Sequence, residues 1–164
     1  MLDRPCEDCG LDTTAVAAQD VAAILRTSAT AWGDVLRRDD AGLRPDPTTW
    51  SPLEYACHVR DVCRRFDART ELMLTHEDPT FENWDQDATA IQAGYRDQDP
   101  AVAAAELAEA AHTFAAHLDA LTEVQWQRTG RRSDGARFTV DSFARYFIHD
   151  VVHHLHDVAA PTAP

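Results

Sequence analysis

The sequence predicts an all-α domain: a four-helix bundle with a long crossover between its second and third helices. Three observations lead there. Four long segments carry apolar residues at helical spacing. Two of them open on a capping residue followed by proline, at Ser51-Pro52 and Asp99-Pro100. No segment alternates convincingly as a strand, and 164 residues suit one domain with a single core.

The first helix is expected from about Thr13 to Arg38, capped by Asp12 or Thr13, with Val21, Ile24, Leu25, Trp32 and Leu36 on one face. Gly42, Pro45 and Pro47 punctuate the turn-rich stretch that ends it. Ser51-Pro52-Leu53-Glu54 reads as a capping box, and Tyr55, Val59, Val62, Phe66 and Met73 mark a second helix down to about Leu74. His76 to Asp99 is a polar crossover with one short helix near Ala88 to Gly94; a loop of that length inside a compact domain is usually functional or locally structured. The third helix runs from Pro100 through Leu107, Ala111, Phe114, Leu118 and Leu121. Gly130 to Gly135 is a polar turn that could carry a short extended pair on either side, and Thr139 caps a fourth helix reaching about Val158. The chain thus divides into an N-terminal Cys-x-x-Cys segment (1–12), the bundle (13–158) and a flexible tail (159–164).

A net charge of −13 argues against nucleic acid and other polyanions as partners, because counterion displacement from phosphates needs a basic patch. No apolar run approaches the roughly 20 residues of a membrane span. The first ten residues carry no basic-then-apolar export signal, so a cytoplasmic location is expected. In that compartment the four cysteines read as thiols or metal ligands rather than disulfides.

Eight histidines raise the question of metal binding. His76 and His112 read as solvated, and His117 sits at the edge of its apolar stripe. On the fourth helix two i,i+4 pairs compete, His149 with His153 and Asp150 with His154. At about 100° per residue, Val140, Phe143, Ala144, Phe147, Val151, Leu155 and Val158 form the apolar arc. His154 falls inside it and Asp150 at its edge, whereas His149 and His156 lie opposite and His153 well outside. An inward histidine can be a core residue with a satisfied hydrogen bond. An inward aspartate beside it needs a cation or several donors to offset its desolvation. His58, at the edge of the apolar arc of the second helix, completes a two-histidine, one-carboxylate set with open positions, the mark of a catalytic ion. Asp61, one turn on, either holds the free nitrogen of His58 or faces solvent. His149, His153 and His156 are left to support the ligands from outside or to face solvent.

The run from Trp50 through Ser51-Pro52-Leu53-Glu54-Tyr55-Ala56-Cys57-His58 to Val59, with Phe138-Thr139-Val140-Asp141 and the stretch Asp150 to Val158 far downstream, resembles the DinB superfamily. These are four-helix bundles with a metal at one end, and they include mycothiol-dependent maleylpyruvate isomerases and related thiol S-transferases. The resemblance spans about Thr13 to Val158 and rests on the order and spacing of short motifs. It implies metal ligands at His58, at Asp150 about eleven residues after the Thr-Val that opens the last helix, and at His154. Many DinB-like proteins have histidine at the second position; the maleylpyruvate isomerase branch has glutamate, and Asp150 is a shorter relative of that. The resemblance further implies a divalent metal, zinc first and nickel, iron or manganese also suited. It implies mycothiol or another low-molecular-weight thiol as co-substrate, an electrophilic small molecule as substrate, and an S-transferase or isomerase activity. Trp84, Tyr95, Arg145 and the loop Arg131 to Arg137 become candidates for substrate contact. Bundles of this kind often pair, and the apolar excess of the first helix would support a homodimer. The rival expectation is a non-catalytic, stress-related binding or dimerisation module with a structural or vestigial metal.

Cys6-Glu7-Asp8-Cys9-Gly10 has three readings: half of a zinc knuckle, a redox pair, or a loop with incidental thiols. The second Cys-x-x-Cys or Cys-x-x-His that usually completes a zinc site is absent, as is the βαβ context of a thioredoxin-like pair. Cys57 and Cys63 lie on different faces of the second helix, which argues against a four-cysteine site.

Overall fold

The computed structural model describes residues 4–159. Its long helices are α1 (Val21–Leu36), α2 (Pro52–Thr75), α4 (Pro100–Asp119) and α6 (Val140–Asp157); α3 (Gln86–Gln92) lies in the crossover and α5 (Glu123–Trp126) before a short hairpin. The start of α2 follows from its capping box: Ser51 Oγ accepts from the Glu54 backbone N–H, and Glu54 Oε2 accepts from that of Ser51 at 2.9 Å. Arg44 grips the same carboxylate with two further hydrogen bonds, of 2.8 and 2.5 Å. Asp99 accepts from the N–H groups of Ala101 and Val102 at the start of α4, and Thr139 forms a capping box with Ser142 at the start of α6.

The first helix begins later than Thr13. Asp12 commits its carboxylate to Thr14, from which it accepts two hydrogen bonds, and the chain then passes through a 3-10 turn (Ala18–Asp20) before α1 opens at Val21. The apolar periodicity itself starts at Val21, so the extra residues had rested on the cap alone.

Both α1 and α2 pack against α4 and α6, which places consecutive helices diagonally across the bundle rather than side by side. The core is aromatic where α2 meets α6: Phe66 stacks on Phe143 at 4.3 Å, Phe143 also meets Phe81 and Phe138, and Phe114 meets Phe147 edge-on. Beyond Ala159, the expected tail lies outside the described residues.

The crossover is tied to α2. Buried Arg60 donates to Asp61, Gln98 and Glu106, and the Tyr95 hydroxyl donates to Asp61 at 2.5 Å. The extended pair allowed around the Gly130–Gly135 turn is present as β2 (Thr129–Arg132) and β3 (Arg137–Thr139), which pair antiparallel; not foreseen is β1 (Thr80–Phe81), which pairs parallel with β2. Segments of two to four residues are too short to show a period of two. A Cβ at Gly130 would stand 2.7 Å from Met73 Cγ, so the sheet reaches the end of α2 only because this residue has no side chain. Among the described residues no helix is long and apolar enough to cross a membrane.

Candidate metal centre

Because α6 buries Val140, Phe143, Ala144, Phe147 and Val151 in the bundle, Asp150 and His154 stand on the edge of the helix that faces α2. There they meet His58, which follows the α2 capping box by one turn and is 1 % exposed. One ligand atom from each of His58, Asp150 and His154 falls within 4.8 Å of the others. His58 Nε2 lies 3.3 Å from Asp150 Oδ2, and His154 Nε2 lies 3.7 Å from Asp150 Oδ1. Ligand atoms around one ion bonded at about 2.0–2.1 Å stand roughly 3–3.5 Å apart, so small side-chain adjustments bring the three onto a common ion.

The donor set fits a cation on a second ground. Both ring nitrogens of His58 and Asp150 Oδ2 are buried without a hydrogen-bond partner, since the 3.3 Å approach is not aligned as a hydrogen bond. Each such orphan costs about 1–3 kcal/mol unless something satisfies it. His154 is already oriented: its Nδ1–H donates to Asp157 Oδ2 at 2.9 Å, which turns Nε2 toward the other two ligands. Burial alone would raise the Asp150 carboxyl; the His58, His154 and His149 rings more than offset it and hold it below the ordinary carboxylate range. Burial is also the larger influence on His154, favouring the neutral imidazole that a metal requires.

Aromatic rings wall the site. Trp84 stacks on His58 at 5.2 Å and 8°, fixed by its own N–H to Thr89 Oγ1 and by Arg65 over its ring. Trp50 meets His58 at 5.5 Å, and Tyr55 meets His154 at 4.9 Å. The triad opens on a cleft of about 90 Å³, lined by His58 and Asp150 together with Phe66, Arg69, Arg132 and Tyr146; that is room for about three waters. Arg69 is held by the Glu82 carbonyl, with burial and then the neighbouring Arg65 and Arg132 lowering its pKa to about 10, so it stays charged at neutral pH.

Several sequence expectations shift. Trp84 does line the cleft, but as the wall behind His58. Arg145 does not line it; it pairs with Asp141 one turn earlier on α6. Tyr95 is fully buried and Asp61 is taken up by Arg60 and Tyr95, so neither reaches the cleft nor holds His58. His117 bridges to Asp67 on α2, while His76 and His112 are exposed. His149 and His153 do not join the triad, nor is His149 solvated: it is 9 % exposed, because the N-terminal segment covers that side of α6. Arg69, Tyr146 and Asp157 were missed. The first two share helix faces with His58 and Asp150 at spacings of eleven and four residues, a signal that the apolar count passed over.

Sequence-distant helices of this four-helix bundle converge on two imidazoles and a carboxylate that could hold a metal ion. The DinB superfamily model matches residues 26–158, and the chain belongs to that superfamily. Among solved structures, YfiT from Bacillus subtilis superposes with a TM-score of 0.76 over 95% of this chain and 91% of that one, at 19% identity, and so shares the fold. That protein is described as a probable metal-dependent hydrolase with an unusual four-helix bundle topology. No curated protein matches the chain.

Proposed function

We propose that the protein is a metal-dependent enzyme that activates a small thiol or a water molecule at His58, Asp150 and His154 for attack on a small anionic electrophile. The observation that carries this reading is the triad itself, in which the ring nitrogens of His58 and Asp150 Oδ2 are buried without a hydrogen-bond partner beside a cleft walled by Arg69 and Arg132. A divalent ion held by these ligands lowers the pKa of a bound thiol or water toward neutrality. His58 and His154 contribute as neutral bases, and Asp150 halves the charge of the ion. Arg69 and Arg132 supply the positive wall against which a carboxylate of the substrate would rest, and Tyr146 offers a hydroxyl beside them. Trp84 and Trp50 keep water from the rear of the site. The thiol reading takes an S-transferase or isomerase of the mycothiol-using kind; the description of YfiT supports the water reading.

The test uses untagged protein carrying Cys6→Ser and Cys9→Ser, so that no thiolate outside the triad binds metal. Elemental analysis should find one divalent ion per chain, lost in His58→Ala and in His154→Ala. A panel of electrophilic carboxylic acids, each offered with mycothiol, bacillithiol, glutathione or water alone, should show consumption that chelation abolishes. Metal retained in both histidine variants, or consumption surviving chelation, would refute the proposal. Consumption with water alone selects hydrolysis over thiol transfer. Metal binding with no consumption in any arm makes the bundle a non-catalytic module.

A further inference from the structure

The second histidine pair on α6 faces a different set of ligands. Cys6 Sγ, Cys9 Sγ, one ring nitrogen of His149 and one of His153 all lie within 4.8 Å of one another. Cys6 Sγ stands 3.6 Å from His153 Nδ1. For Zn–S near 2.3 Å and Zn–N near 2.0–2.1 Å, a sulfur and a nitrogen on one tetrahedral ion stand roughly 3.6 Å apart, so this pair already has the required spacing. We propose that these four residues form a closed, structural Cys2His2 zinc site, separate from the His58–Asp150–His154 triad, that staples the N-terminal segment to the last helix.

The segment is built to present both sulfurs. Cys6 donates its N–H to the Leu11 carbonyl, and its own carbonyl accepts from Gly10, each at 3.0 Å. Gly10 has φ +73°, in the left-handed region that lets the chain turn sharply after the second cysteine. The His149 ring, followed by the backbone N–H groups of Cys9 and Asp8, holds the Cys6 thiol down to about 6, while burial pushes that of Cys9 up.

The histidines complete the set. His149 is nearly buried, and its Nε2 has no hydrogen-bond partner. His153 offers Nδ1 to Cys6, and its Nε2 lies 3.7 Å from Asp157 Oδ1, within reach of that carboxylate's charge but too far for a hydrogen bond. Two thiolates and two neutral imidazoles around a divalent cation sum to zero charge, which suits a half-buried site. Four protein ligands leave no position open, which marks a structural ion, and the two sulfurs select zinc over the harder divalent metals.

Packing alone gives the segment little reason to stay. None of residues 4–12 is buried, and both cysteines are free thiols. An ion bound by two residues of this loop and two of α6 supplies the missing anchor.

Cobalt(II) separates this site from the triad, because only thiolate ligands give a sulfur-to-cobalt charge-transfer band in the near ultraviolet. The purified full-length protein, stripped with chelator and titrated with cobalt under reducing conditions, should develop that band together with the intense visible bands of a tetrahedral ion. The charge-transfer band should vanish in Cys6→Ser/Cys9→Ser, where cobalt can still occupy the triad, and both features should persist in His58→Ala, which disables only the triad. In His149→Cys the charge-transfer intensity should rise by about half, as three thiolates replace two. Zinc should displace the cobalt and bleach the spectrum. No charge-transfer band in the cobalt-saturated wild type overturns the proposal, and needs no variant to fold. So does a charge-transfer band that survives loss of both cysteines, or a His149→Cys spectrum identical to that of the wild type.

Discussion

Asp157 is the position where a single substitution should act on both histidine pairs to unequal extents. Its Oδ2 accepts from His154 Nδ1–H at 2.9 Å, while its Oδ1 stays 3.7 Å from His153 Nε2, too far for a hydrogen bond. Outer carboxylates that orient a ligating imidazole are worth about 10–100-fold in metal affinity. Asparagine keeps an acceptor oxygen and loses the charge, so Asp157→Asn should weaken metal binding at the triad by about tenfold, or about 1.4 kcal/mol. Asp157→Ala removes the acceptor as well and should approach the hundredfold limit. At the thiolate site, where only an electrostatic influence acts across the longer gap, the loss should stay below about threefold. Competition with a chromophoric chelator reads both constants. The triad is isolated in a Cys6→Ser/Cys9→Ser background, and the thiolate site in a His58→Ala background. His156→Ala, an exposed neighbour, and Glu123→Gln, an exposed charge, serve as controls. An Asp157→Ala protein whose triad affinity stays within twofold of its parent would refute the orienting role. Equal losses in Asp157→Asn and Glu123→Gln would reduce the effect to net charge.

The start of α2 should be pH-sensitive through Glu54. Burial raises its carboxyl, but Arg44 and Ser51 outweigh that and hold it below its ordinary value of 4.5. The carboxylate therefore stabilises the fold above about pH 4.5, and that contribution is lost as pH falls through the lower folded value. Glu54→Gln should cost about 2 kcal/mol at pH 7 by urea unfolding, and the gap to wild type should close under acid; a gap independent of pH would contradict this. Gly130→Ala forces a methyl against Met73 and Phe81 and should cost about 1–3 kcal/mol, lowering Tm by several degrees; an unchanged melting curve would show that Met73 yields freely. Arg132→Gln should weaken calorimetric binding of a small dicarboxylate probe by about tenfold, and equal binding would remove the anionic character assigned to the cleft.

Much of the bundle was legible because its signals are local. Ser51-Pro52 and Asp99-Pro100 set helix starts without reference to anything distant, and the arc on α6 separated Asp150 and His154 from their neighbours. What escaped depended on contacts far apart in sequence. The pairing of β1 with β2 joins Thr80 to Arg131, and Gly130 is required by Met73 more than fifty residues earlier. The same limit explains His149. A helical wheel identifies the face turned to the helical core, but not that a second surface is covered by a loop from the other end of the chain. The sequence pattern that completes a cysteine motif is a second Cys-x-x-Cys or Cys-x-x-His, whereas the structure sets beside Cys6 and Cys9 two histidines four residues apart on a helix nearly 150 residues away.

Helix α6 carries two i,i+4 pairs, His149/His153 and Asp150/His154. The pairs are offset by one residue, about 100° around the axis, so each addresses its own neighbour: one pair turns to α2, the other to the N-terminal loop. Two grips at that angle fix a helix in rotation as well as translation. Ligand atoms sit about 5–6 Å from the helix axis, so a turn of about 20° would carry them some 2 Å, far beyond the ~0.2 Å tolerance of a metal–ligand bond. An ion held by Cys6, Cys9, His149 and His153 would therefore set the rotation at which Asp150 and His154 meet His58. Any coupling of this kind is reciprocal: the factor by which zinc at the thiolate site raises affinity at the triad must equal the factor by which a loaded triad tightens the thiolate site.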